Sequence, residues 1–545
     1  MTGALSRLFD IRIAGLLASV AVGAALVATP APQAETAPTK SVAKAAPGSE
    51  AFLSEAAEKY FPAEDAAPSP KRVFRLTRDQ IDATVRALLP GYVTASIKET
   101  MPRDPLQTNY EYAEILNFNA SNLGPLTGWI GGIAARVRAS PKGVIDCAAS
   151  GNAPDCLSVS ARRFVVQAFR ADAPDEKIES IVAFFVKGVS ANGPAQATGD
   201  LVEVTLNSPY FLFRRELETS RRGRLGAVQH LQAITFTLAD TPPEALGLSS
   251  GDALQYLQTA SDARASVDNV LASKPAREKL LRFFRSWLEV REPGDFLISR
   301  ETFKEFTPEF AAAMVAGTDA LLREALATPA PSLKDITTLT RRDTGTDPSR
   351  RFGIFTDPAV LASHSGPTNT RFVKRGVFWV RKVMCMEMAT PSKEVLQAIE
   401  QSYAPLVTTE RARIEGMTKP PECAGCHKLI DPFGAILESY DALGRWRTSD
   451  NGHPIDQTVA IDFLDEGPVT VRSPVEALKA LTGSVMFKQC FVRQAFRYYM
   501  GRNEEPSDEP LLRAMFLAFA KDDKQDILGL IRSLALSETV SRRQM

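Results

Sequence analysis

The stretch FRLTRDQIDATVRALLP, residues 74–90, carries the start, the apolar face and the end of one α-helix. Thr77 and Gln80 have the spacing of a capping box, in which each side chain bonds the backbone N–H of the other residue. Apolar residues follow at helical spacing: Ile81, Val85 and Leu88. Pro90 ends the pattern because proline cannot continue a helix. The stretch predicts a short amphipathic helix.

The same helical period recurs along most of the chain. It is clearest in eight segments, at residues 201–218, 228–246, 277–290, 308–326, 475–483, 487–502, 510–522 and 526–537. Residues 335–465 are instead dense in turn residues. The sequence therefore predicts a mainly α protein, built from several consecutive helical domains with a turn-rich domain near the C-terminal third.

A chain of 545 residues exceeds one hydrophobic core, so several domains are expected. Composition and periodicity divide it into a signal peptide (1–34), an Ala/Pro-rich linker (35–70), an N-terminal helical domain (71–130), a small helical domain (131–198), a central helical domain (199–330), a turn-rich domain (331–465) and a C-terminal helical domain (466–545).

The N-terminus has the layout of a secretory signal. Arg7 and Arg12 precede an uncharged stretch, residues 13–28, with small residues around Ala34. This predicts export to the periplasm, the cell surface or the exterior, with no stable membrane span once the signal is removed. A retained anchor is the alternative.

The overall charge is balanced, with 64 Lys and Arg against 64 Asp and Glu. Such a chain has no global field that attracts nucleic acid, so no nucleic-acid partner is expected.

Export changes the interpretation of the six cysteines, because thiols outside the cytoplasm tend to oxidise. Cys147 and Cys156 bracket a Gly/Asn/Pro loop that a disulfide would close. Cys385 and Cys490 would pair by elimination, and buried free thiols are the alternative, which fits these two better than the loop pair.

The remaining two cysteines lie in ECAGCHKLIDPFG, residues 422–434. In a C-x-x-C-H motif the thiols, here Cys423 and Cys426, attach covalently to haem, and the adjacent histidine, His427, binds the iron. A structural zinc site would need further ligand pairs that the sequence lacks, and a thioredoxin-like dithiol would need a βαβ context. The motif predicts one covalent haem c, in the turn-rich domain.

The flanks of this motif suggest a local structure. The segment TKPPE, residues 418–422, predicts an extended entry that presents the cysteines from a loop, and Asp431-Pro432 would open a short helix that closes near Gly444. Further candidates for the haem surroundings, for which ordinary core and surface roles are equally open, are Phe433, Leu437, Tyr440, Trp446, Arg445 and Arg447.

The sixth iron ligand decides the chemistry, because a closed site transfers electrons and an open one reacts with peroxide or oxygen. His364, in a Gly/Pro loop of the same domain, is the first candidate, and a hydrogen-bonded loop histidine is its alternative. The other candidates are methionines: Met384, Met386, Met388 and Met417. Electron transfer with a redox protein partner is the leading function. The alternatives are a haem-dependent oxidoreductase with an open distal face and a surface or scaffold protein with structural haem.

The chain resembles the secreted, planctomycete-type multidomain cytochrome proteins that are built from domains of unknown function 1587, 1595, 1592, 1588 and 1585. The residues that carry the resemblance include LQAITFTLADTPPEAL (231–246), VLASHSGPTNTRFVKRGVFWVRKVMC (360–385), CAGCHKLIDPFGAILESYDALGRWR (423–447) and FKQCFVRQAFRYYMGR (487–502). The resemblance implies one haem c on Cys423, Cys426 and His427. It also favours a disulfide between Cys385 and Cys490. His364 falls where the family often has a histidine, which favours it as an iron ligand.

Overall fold

The helix of residues 74–90 forms as the sequence predicts. It spans Arg78–Leu88. The Thr77 hydroxyl accepts a hydrogen bond from the backbone N–H of Gln80, and the Gln80 side chain accepts one from the backbone N–H of Thr77. Ile81 and Val85 are fully buried. The capping box and the apolar stripe thus define this helix locally.

The structure, a computed structural model, describes residues 45–147, 151–338, 350–389, 391–394 and 408–545. Its helices are α1 Glu50–Tyr60, α2 Arg78–Leu88, α3 Ala120–Ala139, α4 Pro154–Ala168, α5 Asp175–Leu206, α6 Pro209–Leu212, α7 Ala227–Ala239, α8 Ala253–Tyr256, α9 Ala260–Ala272, α10 Lys274–Trp287, α11 Pro308–Leu326, α12 Leu333–Thr338, α13 Pro358–Ser363, α14 Phe372–Phe378, α15 Glu410–Met417, α16 Pro421–Ile436, α17 Pro474–Gly483, α18 Val485–Met500, α19 Glu509–Lys521, α20 Ile527–Ala535 and α21 Glu538–Ser541. One π-turn, Trp379–Val383, continues α14. The mainly α prediction is confirmed.

The strands described are short and pair only two by two. They are β1 Arg72–Arg75, β2 Phe213–Glu216, β3 Ser449–Asp450, β4 His453–Pro454, β5 Val459–Ile461 and β6 Val469–Val471. Each pair, β1 with β2, β3 with β4 and β5 with β6, is antiparallel. The β1–β2 ladder joins residues 72–75 to residues 213–216 and so ties the N-terminal part of the chain to its centre.

Residues 46–545 form one compact unit. Helices of different predicted domains pack directly on one another within it. The ring of Phe491 on α18, for example, lies 5.7 Å from that of Phe283 and 5.2 Å from that of Trp287, both on α10. The domain boundaries given above stay predictions.

A helix occupies part of the segment that the sequence predicts to be a linker, residues 35–70. Helix α1 is capped by the Ser49 hydroxyl, which accepts from the N–H of Phe52. The side chains of Phe52 and Leu53 are buried, and Phe61, just after the helix, packs against Phe516 of α19. The alanine-rich composition hid this short apolar stripe, which needs the C-terminal helices to cover it.

Two disulfides are formed, between Cys147 and Cys156 and between Cys385 and Cys490. These are the two pairings considered from the sequence. The second joins the segment after the π-turn to the middle of α18, across a separation of 105 residues.

The predicted signal peptide, residues 1–34, lies outside the described residues. Among the helices that the structure describes, none combines the length and the apolar character that a membrane crossing requires.

Candidate functional site

The C-x-x-C-H motif lies on a helix and not on a loop. Helix α16 begins at Pro421 and continues to Ile436, so the predicted helix start at Asp431-Pro432 is wrong. Pro420 has an extended backbone, and Pro421 suits the first turn of a helix because the N–H that proline lacks would have no partner there. Pro432 lies inside the helix and only removes the bond to the carbonyl four residues earlier.

The helix places the three motif side chains together. Successive residues turn by about 100° around an α-helix, so Cys423, Cys426 and His427 fall within an arc of about 100°. Both cysteines are free thiols of intermediate burial. The side chain of His427 is 16% exposed, which leaves it reachable from solvent.

His427 has one nitrogen engaged by a carboxylate. Its Nδ1 lies 2.8 Å from Oδ1 of Asp431, one helical turn further along. An ionised carboxylate can only accept a hydrogen bond, so Nδ1 donates and carries the proton. In the neutral ring Nε2 is then unprotonated and keeps its lone pair. This is the arrangement that a metal-ligating histidine uses, with a carboxylate fixing the tautomer from behind.

A cleft of about 350 Å³ opens beside His427. It is lined by one side of α16, including His427 and Asp431, by Arg411 and Glu415 of α15, and by Val459 of β5. Arg411 bonds Glu415 at 2.8 Å, so charges on this wall are paired. The motif helix therefore has solvent on one side.

Helix α14 packs on α16 through two close contacts made by glycines. A Cβ at Gly376 would collide with the carbonyl oxygen of Ile430, and a Cβ at Gly434 would lie 2.8 Å from the ring of Phe372. Both contacts bring the helices closer than any larger residue permits. Phe433 adds a ring stacked on Trp379, with centroids 5.5 Å apart. The motif helix is thus held against a tightly packed partner.

The structure does not bring His364 to the motif. Its side chain is buried, Nε2 donates to the carbonyl oxygen of Leu288 at 3.0 Å, and its ring stacks on Phe378 at 4.0 Å. Burial lowers its pKa to about 3, so it stays neutral. Phe378 is two residues from Gly376, hence on the side of α14 turned away from α16. His364 is the hydrogen-bonded loop histidine of the alternative interpretation.

The other residues considered around the motif have ordinary roles. Tyr440 is buried and its hydroxyl donates to the carbonyl oxygen of Arg350. Arg445 pairs with Asp441 and Glu305, and Arg447 with Asp450. Phe433 and Leu437 are core residues, and the ring of Trp446 lies edge-on to that of Tyr440.

The methionine candidates divide into a buried and an accessible group. Met384 is fully buried. Met417, at the end of α15, is partly exposed, and its sulfur accepts a hydrogen bond from Nη1 of Arg413 at 3.3 Å. In the ranges that the structure describes, no group of three or more His, Cys, Asp and Glu side chains is placed to hold a metal ion.

Asp431 is the site residue that the sequence did not reveal. It lies four residues after His427, a spacing at which side chains meet on a helix. The expectation of a loop at the cysteines hid this relation, because four residues along a loop imply no contact. Recognising that Pro421 suits the start of a helix would have revealed it.

Comparison with protein families gives three matches, each to a protein of unknown function. Residues 227–344 match DUF1592, residues 351–450 match DUF1588 and residues 469–540 match DUF1585. The chain carries these three domains in series. The predicted resemblance is confirmed, and the DUF1588 domain contains the whole motif and helices α13 to α16. No curated protein and no solved structure matches the chain.

Proposed function

We propose that the DUF1592–DUF1588–DUF1585 chain is an exported mono-haem c protein that passes electrons to or from a redox protein partner. Cys423 and Cys426 would hold one covalent haem c, and His427 would bind its iron. The observation that carries the proposal is the placement of two free thiols and His427 on one side of α16, with Asp431 holding the imidazole from behind.

The donor set fits this cofactor. Four of the six cysteines form disulfides, which leaves the two thiols of the motif for attachment. When bound, a haem c supplies one-electron redox chemistry at its iron. The chain's own contribution is orientation: the Asp431 carboxylate fixes which nitrogen of His427 is free, and α14 fixes the helix.

The family name gives independent support. The short name of the DUF1588 family, PSCyt3, contains a cytochrome label, and its match covers Cys423, Cys426 and His427. Export is supported by the two disulfides, which are typical of oxidising compartments. We place the protein in the periplasm or at the cell surface.

The absorption spectrum tests the function. The full chain is produced in the periplasm of a host that matures c-type cytochromes, then examined as purified, after reduction, and with cyanide or peroxide. Electron transfer predicts low-spin, six-coordinate iron that neither reagent changes. High-spin iron that reacts with peroxide would contradict electron transfer and favour the haem-dependent oxidoreductase.

The potential of the iron tests the role of Asp431. We expect Asp431→Asn to make the midpoint potential more positive, because the carboxylate favours the oxidised and more positively charged iron through the imidazole. Glu415→Gln is the matched control, since Glu415 lines the same cleft and pairs with Arg411. Redox titration followed by absorbance measures both. An unchanged potential in Asp431→Asn would remove this residue from the proposed role.

A further inference from the structure

A second cleft, of about 140 Å³, lies where segments from the N-terminal part, the middle and the C-terminal part of the described chain meet. We call it the Glu111 cleft and define it by Phe74, Glu111, Phe236, Asp240, Tyr498 and Tyr499. Phe74 belongs to β1, and Glu111 to the loop before α3. Phe236 and Asp240 lie at the end of α7, and the two tyrosines at the end of α18.

Asp240 pairs with two cations that line this cleft. Its carboxylate oxygens lie 2.7 Å from Nζ of Lys279 and 2.7 Å from Nη2 of Arg282. Gln80 adds a third hydrogen bond at 3.0 Å. Despite its burial, the pKa of Asp240 is lowered, because these two cations hold the carboxylate ionised.

The other charged groups of the lining also have partners of opposite sign. Arg282 is shared with Asp79 at 3.7 Å. Arg214 lies 3.2 Å from Glu216, and Arg75 is bonded to Asp104. Each cation of this lining thus has at least one acidic partner.

Glu111 differs from these paired charged groups. Its side chain is exposed to the cleft, and among the described residues it has no hydrogen-bond or ion-pair partner. The surrounding protein raises its pKa to about 8, first by desolvation and then through the negative charges of Asp79, Asp104 and Asp240, while the positive charge of Arg282 opposes this. A carboxylate in such a place gains most from an incoming positive charge.

The walls around Glu111 are aromatic. Phe74, Phe236, Tyr498 and Tyr499 contribute rings. The faces of such rings attract cations, and Lys279 already lies 5.8 Å from the centroid of Tyr498 and 5.7 Å from that of Tyr499. A carboxylate with aromatic walls is the combination that recognises organic ammonium groups.

We propose that the Glu111 cleft binds a small organic ammonium ion, paired with Glu111 and covered by the aromatic rings. The volume suits this class, because a cavity of about 150 Å³ holds a molecule of the size of benzene. The described acidic side chains include no group of three placed around a metal ion, so an organic cation fits better than a bare metal. The site is separate from the C-x-x-C-H motif and does not depend on a haem.

Binding is coupled to pH through Glu111. The ionised carboxylate is the binding form, and a cation stabilises it, so binding releases a proton from the protonated side chain. Below its pKa of about 8 the affinity should rise about tenfold for each pH unit, and above it the rise should level off. Of the charged neighbours, Asp240 is held ionised by Lys279 and Arg282, which lower its pKa, whereas burial lowers the pKa of Lys279.

The test compares two probes of the same shape on the full chain. Tetramethylammonium carries a charge that does not titrate, and tert-butanol is its neutral counterpart. NMR or calorimetric titration should show that tetramethylammonium binds at least tenfold more tightly than tert-butanol at pH 8.5, and several-fold more tightly at pH 8.5 than at pH 7.

Variants then identify the carboxylate. Glu111→Gln should lose at least a factor of ten in affinity and the pH dependence with it. Glu114→Gln, an exposed carboxylate three residues along that does not line the cleft, should bind like the unchanged protein. Far-UV circular dichroism checks that both variants are folded. Equal binding of the two probes, no binding of tetramethylammonium, or full affinity in Glu111→Gln would each overturn the proposal.

Discussion

The motif helix α16 and the Glu111 cleft bring their residues together in different ways. On α16, four side chains within nine residues, Cys423 to Asp431, are grouped by the turn of a single helix. In the Glu111 cleft, residues as far apart as Phe74 and Tyr498 meet only because the whole chain folds. Covalent attachment needs a fixed spacing, which a local element supplies. A ligand cavity needs walls on several sides, which only tertiary packing supplies.

The two regions also differ in how charge is handled. Beside the motif the charges are partly solvated, such as the pair of Arg411 with Glu415. In the Glu111 cleft the buried Asp240 carboxylate holds two cations. Changes near the motif should therefore affect cofactor chemistry first, whereas changes in the cleft should affect folding first.

The disulfide between Cys385 and Cys490 links the two regions covalently. Its removal should cause the largest loss of unfolding free energy. Cys385 follows the π-turn that supports α16, and Cys490 lies on α18, which ends at the cleft. Replacing both by serine should cost about 5 kcal/mol of unfolding free energy, since the bond closes a loop of 105 residues.

The shorter disulfide is the control for that change. Cys147 and Cys156 are 9 residues apart, and their replacement by serine should cost about 2 to 3 kcal/mol. Denaturant unfolding under oxidising conditions measures both. Equal losses of unfolding free energy for the two disulfides would contradict the role of the Cys385–Cys490 disulfide in linking the regions.

Asp240→Asn should cause the next largest loss of stability and should leave the C-x-x-C-H motif unaffected. Asp240 is the C-cap of α7 with a φ of 52°, a conformation that asparagine also adopts, so the change keeps the backbone while it removes the charge and one of the two acceptor oxygens. Leaving Lys279 without its carboxylate should destabilise the fold by about 3 to 4 kcal/mol. Asp79→Asn, whose carboxylate is 24% exposed, should cost about 1 kcal/mol or less. Thermal unfolding compares them, and a similar loss for both would refute the distinction.

Gly376→Ala should have a smaller effect, confined to the motif side. The new Cβ meets the backbone of Ile430, so α14 and α16 must separate, at a cost of about 1 to 3 kcal/mol. Gly416→Ala, where a Cβ meets no atom within 4 Å, is the control. Binding of tetramethylammonium should stay unchanged in both variants, and weaker binding in Gly376→Ala would show that the regions are coupled.

Most of the motif region could be predicted from the sequence alone. The C-x-x-C-H motif is contiguous, and the capping box of α2 and the helical periods predict a mainly α fold from local rules. Asp431 was missed because its role depends on α16 extending through Pro432. The surroundings of His364 could not be predicted, because the sequence of a loop does not indicate which carbonyl or ring its histidine will contact.

The Glu111 cleft could not be predicted from the sequence. Tyr498 and Tyr499 have the pattern of core residues on α18, and Glu111 is one acidic residue in a loop. What distinguishes Glu111 is the lack of a partner among the described residues, while its neighbours are paired. Pairing depends on distances between segments, and one sequence carries no information on those.

The central claim, covalent haem on α16, is tested most directly by the intact mass of the chain. The full protein, produced with the c-type maturation machinery, is compared with a variant that carries both Cys423→Ser and Cys426→Ser. The account predicts an added mass of one haem in the unchanged protein and none in the variant. A chain without added haem, or a variant that retains it, would contradict the account.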